Sequence, residues 1–565
     1  MCRCFALSLF VSVVTVTSVY AEHVPKSLVI MLDGARSDVM LMAKTPNFDS
    51  VCSGDWATGY HGAWSLTAHT VKDAPTISGP NHASIAVGAT PTKTKVPNND
   101  LYDNYNKTNA SATYKNYLTR IKEKYADKKT AFVFSWKPDK ILVSENNPCD
   151  LVLCDSDQNN AKHVPKILGG SYESEHWKKG TDIDAMLYFI DLPDHIGHSG
   201  GYCPPGQKHK EYIACIEEID GWLGTVLNSI RQRTTFANED WLVVITSDHG
   251  GWVSGHGPMR ADNFTIPFFV SGQNVVSGEM EGQPCDADAA ATVLNHFGFD
   301  VAQMKEDGLI DGSVRGTAKT VPVANKSIED GLLVYLPFDG DFENKVSNKA
   351  ASISVGNHGA KPESADGKHN GYLKIRQGEQ PQFVTLGNPE SLQFGTDGNF
   401  SIAFWTRLPI VQEGDPVLIS NKDWSSGQNP GCCFFVNPLP SNNGNIIGFN
   451  IADDTKLRVD VKQIFLPQNE WWFCAVTVNR QGNAVLFAGS PDGRLFWGSE
   501  SLIDENLGKS FGRLDGNINT LLLWNIGQDG TKTYQSKLNA DIDEFRIWNR
   551  ALSIKEMETL FKNAL

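Results

Sequence analysis

The sequence predicts an α/β domain with a mostly parallel sheet and helices on both faces, followed by a C-terminal all-β jelly-roll sandwich. The 565 residues exceed what one hydrophobic core usually serves. Before residue 320, continuous apolar runs alternate with amphipathic helical patterns, whereas after it short strand-like runs are separated by turn residues. Hydrophobic residues make up 41% of the chain and fourteen residues are tryptophan, which excludes a wholly disordered protein.

The charge of the chain excludes two classes of partner. The 50 basic and 65 acidic residues give a net charge of −15, and the sequence contains no block of like charge. Proteins that bind nucleic acids or anionic membranes usually carry a basic patch, which this sequence does not contain. We therefore expect no nucleic-acid-binding surface.

Residues 1–21 are typical of a secretory signal peptide. Arg3 supplies the positive start, an apolar stretch runs from Phe5 to Thr17, and the small residue Ala21 suits cleavage before Glu22. The alternative is an uncleaved membrane anchor, although the stretch is shorter than the roughly 20 residues that a spanning helix needs. No later stretch predicts a transmembrane segment, so we expect a secreted, extracellular protein.

Cysteine usage is consistent with export. Cys2 and Cys4 leave with the signal peptide, and the remaining nine of the 11 cysteines would mostly pair in an oxidising compartment. Because nine is odd, at least one would stay unpaired. Five Asn-x-Ser/Thr sequences are candidate glycosylation sites in a eukaryotic host, namely Asn106, Asn109, Asn263, Asn325 and Asn399.

The first domain is expected over residues 22–311, with a polar, helix-poor linker at 312–329. Continuous apolar runs of about five or six residues predict strands covered on both faces. These runs lie at residues 28–32, 130–135, 185–190, 241–246 and 266–270. Apolar residues also recur at helical spacing from Tyr212 to Ile230 and predict one amphipathic helix. Sheets of this kind bind ligands beyond the carboxyl ends of their strands.

Polar side chains cluster at those strand ends. They are Asp33 after the first strand, Asp194 and His198 after the third, Asp248 and His249 after the fourth, and then His256. Taken singly, each is more often a helix cap, a turn former or a hydrogen-bonded histidine. Together, their nitrogen and oxygen ligands favour two zinc-like ions over calcium or magnesium, which prefer oxygen alone.

The order of these motifs resembles the alkaline phosphatase superfamily, and especially the type I phosphodiesterases/nucleotide pyrophosphatases. Residues 78–82, Ser-Gly-Pro-Asn-His, are similar to the family's nucleophile motif Thr-Phe-Pro-Asn-His, and residues 99–103, Asn-Asp-Leu-Tyr-Asp, are similar to a segment downstream of it. The likeness extends from residue 24 to about residue 300. It implies an alkaline-phosphatase-like catalytic domain that hydrolyses phosphoric esters.

Carried over position by position, the resemblance implies that Asp33, Ser78, Asp248 and His249 hold one zinc ion, and that Asp194, His198 and His256 hold the other. Ser78 would be the nucleophile that forms a phosphoseryl intermediate, because metal coordination activates an otherwise weak hydroxyl. Asn81 would bind a non-bridging phosphoryl oxygen. Thr76 is a rival nucleophile to Ser78, and His195 a rival ligand to His198.

Other activities remain open within the superfamily. A sulfatase would need Arg where His82 stands, whereas a phosphomonoesterase or a phosphonate hydrolase would need further charge around the substrate. The expected substrate is a phosphate ester, with a nucleotide or a lipid headgroup as the candidates, and its leaving group is left open. A different class of protein, one that binds glycans or matrix through an inactive catalytic-like domain, is the other alternative.

Residues 330–565 predict the second domain. Strand-like runs at 332–339, 400–405, 471–478 and 542–548 resemble the laminin-G-like, concanavalin A-like fold, and a short helix follows Ser553. Members of that fold bind glycans, proteins or calcium, or brace a neighbouring domain. The resemblance therefore leaves open a Ca²⁺ site at Asp339 and Asp543 and a glycan platform at Trp424 or Trp497.

Overall fold

The computed structural model describes residues 23–71, 74–203, 210–257, 261–280, 282–317, 327–346, 353–376, 378, 380–440, 443–502, 514–534 and 538–563. The predicted signal peptide and the glycosylation sequence at Asn325 lie outside these residues. Across the described ranges, no helix is both long enough and apolar enough to cross a membrane.

The first domain is built on one eight-stranded sheet. Its strands are β1 (Val24–Leu32), β2 (His61–His69), β3 (Thr130–Phe134), β4 (Leu151–Cys154), β5 (Ala185–Ile190), β6 (Glu239–Ser247), β7 (Thr265–Gly272) and β8 (Gly278–Glu279). Their spatial order is β4-β3-β5-β1-β6-β7-β2-β8. The pairs from β4 to β6 are parallel, and β7 is antiparallel to both neighbours. The predicted mostly parallel α/β sheet is therefore confirmed.

Thirteen α-helices of the described residues accompany this sheet. They are α1 (Ser37–Met42), α2 (Pro46–Ser53), α3 (Ser78–Val87), α4 (Pro91–Thr94), α5 (Asn104–Lys107), α6 (Ala110–Thr113), α7 (Tyr117–Lys124), α8 (Asp157–Leu168), α9 (Leu192–Gly200), α10 (Lys210–Arg231), α11 (Ala261–Phe264), α12 (Asp288–His296) and α13 (Val301–Glu306). Hydrophobic cores lie on both faces of the sheet. The helix predicted between Tyr212 and Ile230 is α10.

The first domain continues into the stretch predicted as a linker. The backbone nitrogen of Gly312 donates to the carbonyl of Gly88 (3.0 Å), and that of Val276 donates to the carbonyl of Gly316 (2.7 Å). The Arg315 guanidinium pairs with the buried Asp288 carboxylate at 2.5 Å. The polar start of this stretch is therefore held on the first domain by specific partners.

The second domain is a sandwich of two antiparallel sheets, as predicted. Its strands are β9 (Leu332–Leu336), β10 (Gly356–His358), β11 (Lys361–Glu363), β12 (Tyr372–Ile375), β13 (Phe383–Gly387), β14 (Phe400–Arg407), β15 (Val417–Ser420), β16 (Gly431–Leu439), β17 (Gly444–Ala452), β18 (Arg458–Pro467), β19 (Trp471–Val478), β20 (Asn483–Gly489), β21 (Leu495–Ser501), β22 (Trp524–Ile526) and β23 (Ala540–Trp548). One sheet has the order β10-β13-β22-β15-β16-β17-β18, the other β11-β12-β23-β14-β19-β20-β21, with β9 beside β23. The chain then forms helix α14 (Ile554–Asn563).

Two expectations about covalent chemistry need correction. No disulfide joins any of the nine cysteines of the described residues; five are buried, three are partly buried, and Cys154 is exposed. Asn263 is 1% exposed, so its side chain is not accessible for glycosylation in the folded protein. Asn109, in contrast, is exposed.

Helix α14 packs against the first domain and brings two carboxylates together. Its residues Ile554 and Lys555 line one cavity with Phe48 and Trp64 of the first domain. Nearby, burial and the charge of Glu556 raise the pKa of Glu279 to about 7. The contact between the domains therefore includes the Glu279 carboxyl group, which stays protonated to a higher pH in the folded state than in the unfolded state.

Glu279→Gln is expected to stabilise the protein at pH 8 by about 2 kcal/mol and to have little effect near pH 5. The unfolded carboxyl group ionises near its ordinary pKa of about 4.5, whereas the folded one ionises only near 7. The native state is thus penalised increasingly as the pH rises between these values, and Gln removes that penalty. Urea unfolding at both pH values, with the exposed Glu211→Gln as control, measures the difference; equal effects at both values would contradict it.

Candidate metal centre

Three aspartates reach one edge of the first sheet because of the strand register. Leu32, the last residue of β1, lies opposite Ile190 of β5 and opposite Ser247 of β6. The next residue of each chain segment is Asp33, Asp191 or Asp248. Since the strands are parallel, all three carboxyl groups emerge at the same end of the sheet.

The side chains at this edge form two adjoining groups of metal-ligand type. Oxygen and nitrogen atoms within 4.8 Å of one another define the groups. The inner group is Asp33, Asp248 and His249, all fully buried. The outer group is Asp194, His198 and His256, of which His198 has a side chain 49% exposed. Six of the seven residues predicted as ligands are thus brought together, three in each predicted set.

A third grouping was not predicted. Asp191 lies within the same 4.8 Å limit of Asp33 and Asp194. Burial and the charge of Asp194 raise the pKa of Asp191 to about 6. Its position directly after β5 is the same signal that identified Asp33 and Asp248, so the sequence contained the information to find it.

The histidines of both groups are oriented in the same way. Nδ1 of His198 lies 2.9 Å from the carbonyl of Ser254, Nδ1 of His256 lies 2.7 Å from that of Thr76, and Nδ1 of His249 lies 2.8 Å from that of Gly250. A carbonyl only accepts hydrogen bonds, so Nδ1 carries a proton in each of these rings and Nε2 is the nitrogen that faces the cluster. Histidines that bind metals in proteins are held in this way.

In the outer group, two of these Nε2 atoms lie close together. Nε2 of His198 lies 3.0 Å from Nε2 of His256, and the Asp194 carboxylate lies 3.4 Å and 3.5 Å from these nitrogens. Burial and the neighbouring His249 lower the pKa of His256 to about 4, so this ring is neutral at physiological pH. Two acceptor nitrogens at this distance repel each other unless a proton or a cation lies between them.

The inner group concentrates negative charge away from water. Burial and the charges of Asp248 and Asp194 hold the pKa of Asp33 well above its usual range. Burial also acts to raise the pKa of Asp248, but the His249 and His82 rings outweigh it and hold that pKa below its usual range. Within the described residues, Oδ1 of Asp33 and Oδ2 of Asp248 are buried without a hydrogen-bond partner. Buried carboxylate oxygens are costly in that condition, and a cation relieves the cost.

Ser78 is the first residue of helix α3 and faces the inner group. Its Oγ lies 3.5 Å from Nε2 of His249. Thr76, the rival nucleophile, is buried and its Oγ1 accepts a hydrogen bond from the backbone of Gly257 (3.0 Å). The structure thus brings Ser78 to the cluster and uses Thr76 to hold the segment around His256. The rival ligand His195 is exposed and belongs to neither group.

The role predicted for Asn81 needs correction. Its side chain is fully buried, and its Nδ2 donates to the carbonyls of Pro75 and Ile77, both at 2.9 Å. The amide hydrogens that would bind a phosphoryl oxygen are therefore occupied. Asn81 instead shapes the turn that leads into Ser78.

Two polar neighbours of the cluster were missed in the sequence. Oδ1 of Asn99 accepts a hydrogen bond of 2.7 Å from the backbone nitrogen of Gly79, the residue after Ser78. A side-chain carbon on Gly79 would lie 2.9 Å from that oxygen, so glycine permits the approach. Nε2 of His82 lies 3.1 Å from Asp33 and 3.2 Å from Asp248, while its Nδ1 lies 2.8 Å from Asp139. Asn99 and His82 stand in the two segments that carry the family resemblance.

The second domain contains a smaller acidic site. Asp543 is fully buried, and its Oδ2 accepts a hydrogen bond of 2.8 Å from the backbone of His369. Its Oδ1 has no hydrogen-bond partner in the part of the chain that is described. Burial and the charges of Glu544 and Asp339 raise the pKa of Asp543 to about 7. Oδ1 of Asp339 accepts a hydrogen bond of 2.9 Å from the backbone nitrogen of Gly371, and the Ca²⁺ site at these two aspartates stays a prediction.

The tryptophans singled out as glycan platforms differ in exposure. Trp497 is 3% exposed, and its Nε1 donates to the carbonyl of Leu66 in the first domain (3.3 Å). It therefore cannot stack on a sugar. Trp424 is half-buried and stacks on Phe435 with ring centroids 5.1 Å apart.

Comparisons with known proteins divide the chain in the same way. Residues 27–252 match the family "Type I phosphodiesterase / nucleotide pyrophosphatase", and residues 378–557 match the "Concanavalin A-like lectin/glucanases superfamily". Both resemblances noted in the sequence are thereby confirmed. The first domain is thus similar to the phosphodiesterase family over residues 27–252.

Individual relatives are distant. The chain is 22% identical over 247 residues to Paraclostridial mosquitocidal protein 1 of Paraclostridium bifermentans, covering 42% of this chain and 18% of that protein's length. Among solved structures, it is similar to that protein's binding domain (19% identity, 42% and 53% of the two chains, TM-score 0.31). It is also similar to an inactive murine ectonucleotide pyrophosphatase/phosphodiesterase 5 in complex with AMP (12% identity, 49% and 96%, TM-score 0.37).

Asn81→Ala is expected to destabilise the protein by about 2–3 kcal/mol, because two partly buried carbonyls lose their donor. Asn99→Ala removes one hydrogen bond at an exposed side chain and should cost about 1 kcal/mol or less. Urea unfolding of the two variants beside the wild type measures both values. An Asn81→Ala variant as stable as Asn99→Ala would contradict the structural role assigned to Asn81.

Proposed function

Starting from the similarity of its first domain to the phosphodiesterase family, we propose that the protein is a secreted, metal-dependent phosphoric ester hydrolase that acts on diesters through Ser78. Its cofactors would be two divalent ions, with zinc as the preferred metal. A signal peptide at residues 1–21 would direct its secretion. The proposed substrate is a phosphodiester whose leaving group is a nucleoside or a lipid headgroup.

One observation carries this proposal above the others. Three imidazoles place Nδ1 on a backbone carbonyl and direct Nε2 into a cluster that also contains buried carboxylate oxygens lacking a hydrogen-bond partner within the described residues. Such a donor set fits two adjoining zinc-like ions, one held by Asp33, Asp248, His249 and Ser78. The other would be held by Asp194, His198 and His256.

The metal ions, when bound, would supply Lewis-acid chemistry that acidifies the serine hydroxyl and offsets the charge of the reacting phosphoryl group. Ser78 would lose its hydroxyl proton and form an Oγ–phosphorus bond as the bond to the leaving alcohol breaks. Water would then cleave the phosphoseryl bond, releasing the phosphate monoester and restoring the serine hydroxyl. Burial of Ser78, which is 6% exposed, favours attack on a bound substrate over reaction in open solvent.

Asn99, in place of Asn81, is the proposed donor to a non-bridging phosphoryl oxygen. Its amide lies beside the peptide that follows Ser78 and is exposed to the solvent from which a substrate arrives. A donor placed next to the nucleophile stabilises charge that develops on the phosphoryl group. The hydrogen bond that Asn99 Oδ1 accepts from the backbone nitrogen of Gly79 leaves the Asn99 Nδ2 group as the donor that can reach the substrate.

The rival activities predict different chemistry at the same site. A sulfatase needs Arg at the position of His82, and the shorter His82 ring is instead held between Asp33 and Asp139. A phosphomonoesterase or phosphonate hydrolase would use the same Ser78 with more positive charge around the substrate. A glycan- or matrix-binding protein with an inactive first domain would bind no metal, or would hydrolyse neither phosphate esters nor sulfate esters.

The decisive experiment compares zinc-loaded protein on three nitrophenyl esters: a thymidine monophosphate diester, a phosphate monoester and a sulfate. We expect diester turnover that Ser78→Ala abolishes by at least about 10³-fold, while zinc binding at the outer group persists. Thr225→Ala, which removes an exposed hydroxyl of α10, is the control and should keep wild-type turnover. Turnover of the monoester or the sulfate alone would overturn the proposed substrate class. A protein that neither binds zinc nor hydrolyses any of the three esters would overturn the proposal that it is an enzyme.

His82 is proposed as a positioning residue of this site. It links the two inner-group aspartates to Asp139, which also accepts a hydrogen bond from the Tyr102 hydroxyl (2.9 Å). Residues that orient metal ligands usually contribute about 10- to 100-fold to metal affinity. The histidine would hold both carboxylates in the direction that a cation requires.

His82→Gln is therefore expected to weaken zinc binding by about 10- to 100-fold, because the inner carboxylates lose their common partner. Competition with a chelating dye measures the affinity without reference to activity. His296→Gln, which removes a histidine far from the cluster along the chain, is the control and should bind zinc like the wild type. Equal affinities for both variants would rule out the positioning role.

For the second domain, we propose binding of a glycan or matrix ligand, with Ca²⁺ held at Asp339 and Asp543. The buried, unsatisfied oxygen of Asp543 supports the ion. Trp424 remains available as the aromatic platform, since it is only half-buried.

A further inference from the structure

The hairpin of β20 and β21 lies against the first domain. Strand β21 is the last strand of its sheet, and its inner residues are buried by contacts with the end of β2 and with α11. Oγ of Ser499 lies 2.9 Å from Nε2 of His69 and 3.3 Å from Oγ1 of Thr265. The backbone nitrogen of Ser499 also donates to Thr265 Oγ1 at 3.3 Å. An edge strand that would otherwise expose unpaired groups is thus covered by the other domain.

Close packing in this seam depends on Gly498. A side-chain carbon added at Gly498 would lie 2.7 Å from the Cβ of Ala261, closer than two carbons approach in a folded protein. Gly498 is not one of the described glycines with a positive φ. The close approach of Ala261, and not backbone freedom, therefore accounts for a glycine at this position. The two domains are therefore packed so closely at Gly498 that a methyl group would not fit between them.

Helix α11 contacts both the hairpin and the backbone beside the inner metal-ligand group. The carbonyl of Asn263 accepts a hydrogen bond of 2.6 Å from the backbone nitrogen of Gly250, the residue after His249. A side-chain carbon at Gly250 would lie 2.3 Å from the carbonyl oxygen of Asp262. One short helix therefore separates β21 from the backbone that carries His249.

The turn of the same hairpin reaches the outer group. Nη1 of Arg494 lies 3.6 Å from Sγ of Cys203, a buried residue of the first domain. The preceding residue, Tyr202, hydrogen-bonds through its hydroxyl to Oδ1 of Asp194. Both metal-ligand groups are thus backed by segments that touch this one hairpin.

We propose that the β20–β21 hairpin of the second domain is a positioning element of the active site. It presses α11 against the Gly250 backbone and holds the Tyr202–Cys203 segment behind Asp194. The second domain would then be part of the catalytic unit as well as a ligand-binding module. The expected effect on kcat rests on the proposed function. The expected effect on zinc affinity rests on the geometry of the two metal-ligand groups alone.

The test introduces a wedge into the seam of the full-length protein by Gly498→Val. The matched control is Gly448→Val in β17 of the other sheet, where an added carbon would lie 2.4 Å from the Phe435 ring of β16, the neighbour of β17 on the side away from β18. A milder seam variant, Ser499→Ala, keeps the test valid if the wedge prevents folding. Zinc affinity, kcat, KM and the unfolding temperature are measured for all three.

We expect both valine variants to unfold at lower temperature, and only the seam variants to lose metal affinity. Gly498→Val should lose about tenfold or more in zinc affinity and in kcat, with a smaller change in KM, and Ser499→Ala a smaller loss in the same direction. Wild-type zinc affinity in both seam variants would overturn the proposal, as would an equal loss in Gly448→Val. Zinc binding by the wild type without turnover would instead count against the proposed function and leave the affinity comparison intact.

Discussion

The structure of the first domain depends on one constraint, the shared end point of three parallel strands. Because Leu32, Ile190 and Ser247 lie side by side, the chain must place the following residues at a single edge, and all three are aspartates. Electrostatic repulsion among them would oppose such an arrangement in a dry interior. The histidines around them, the hydrogen bond from the Gly34 backbone to Asp248 and the contact with His82 offset part of that repulsion.

The sequence was sufficient to predict the elements whose pattern is local. Buried strands appear as continuous apolar runs, and Asp194 and His198 lie four positions apart on one face of α9, as their spacing requires. Strand β2 escaped prediction because polar residues interrupt its apolar ones, from His61 through Ser65 and Thr67 to His69. Its burial comes from strands and from a second domain that are remote in the sequence.

The direction of a side chain was harder to predict than its presence in the site. Asn81 follows the family motif, yet its amide turns back to the carbonyls of its own loop. His82 and Asp139 meet only through the tertiary fold, since more than fifty residues separate them. The missing disulfides have the same origin, because cysteine counts say nothing about which sulfurs the fold brings within bonding distance.

The unequal burial of the two metal-ligand groups has a kinetic consequence. His198 is half exposed, whereas Asp33, Asp248 and His249 lie behind it with no surface of their own. A cation bound at the outer group can exchange directly with the solvent. One held by the inner group would have no exposed aspartate or histidine ligand, so it would be lost more slowly than one held by the outer group when a chelator removes metal from the protein. Partial loading would therefore yield a protein with its inner position filled and its outer position vacant.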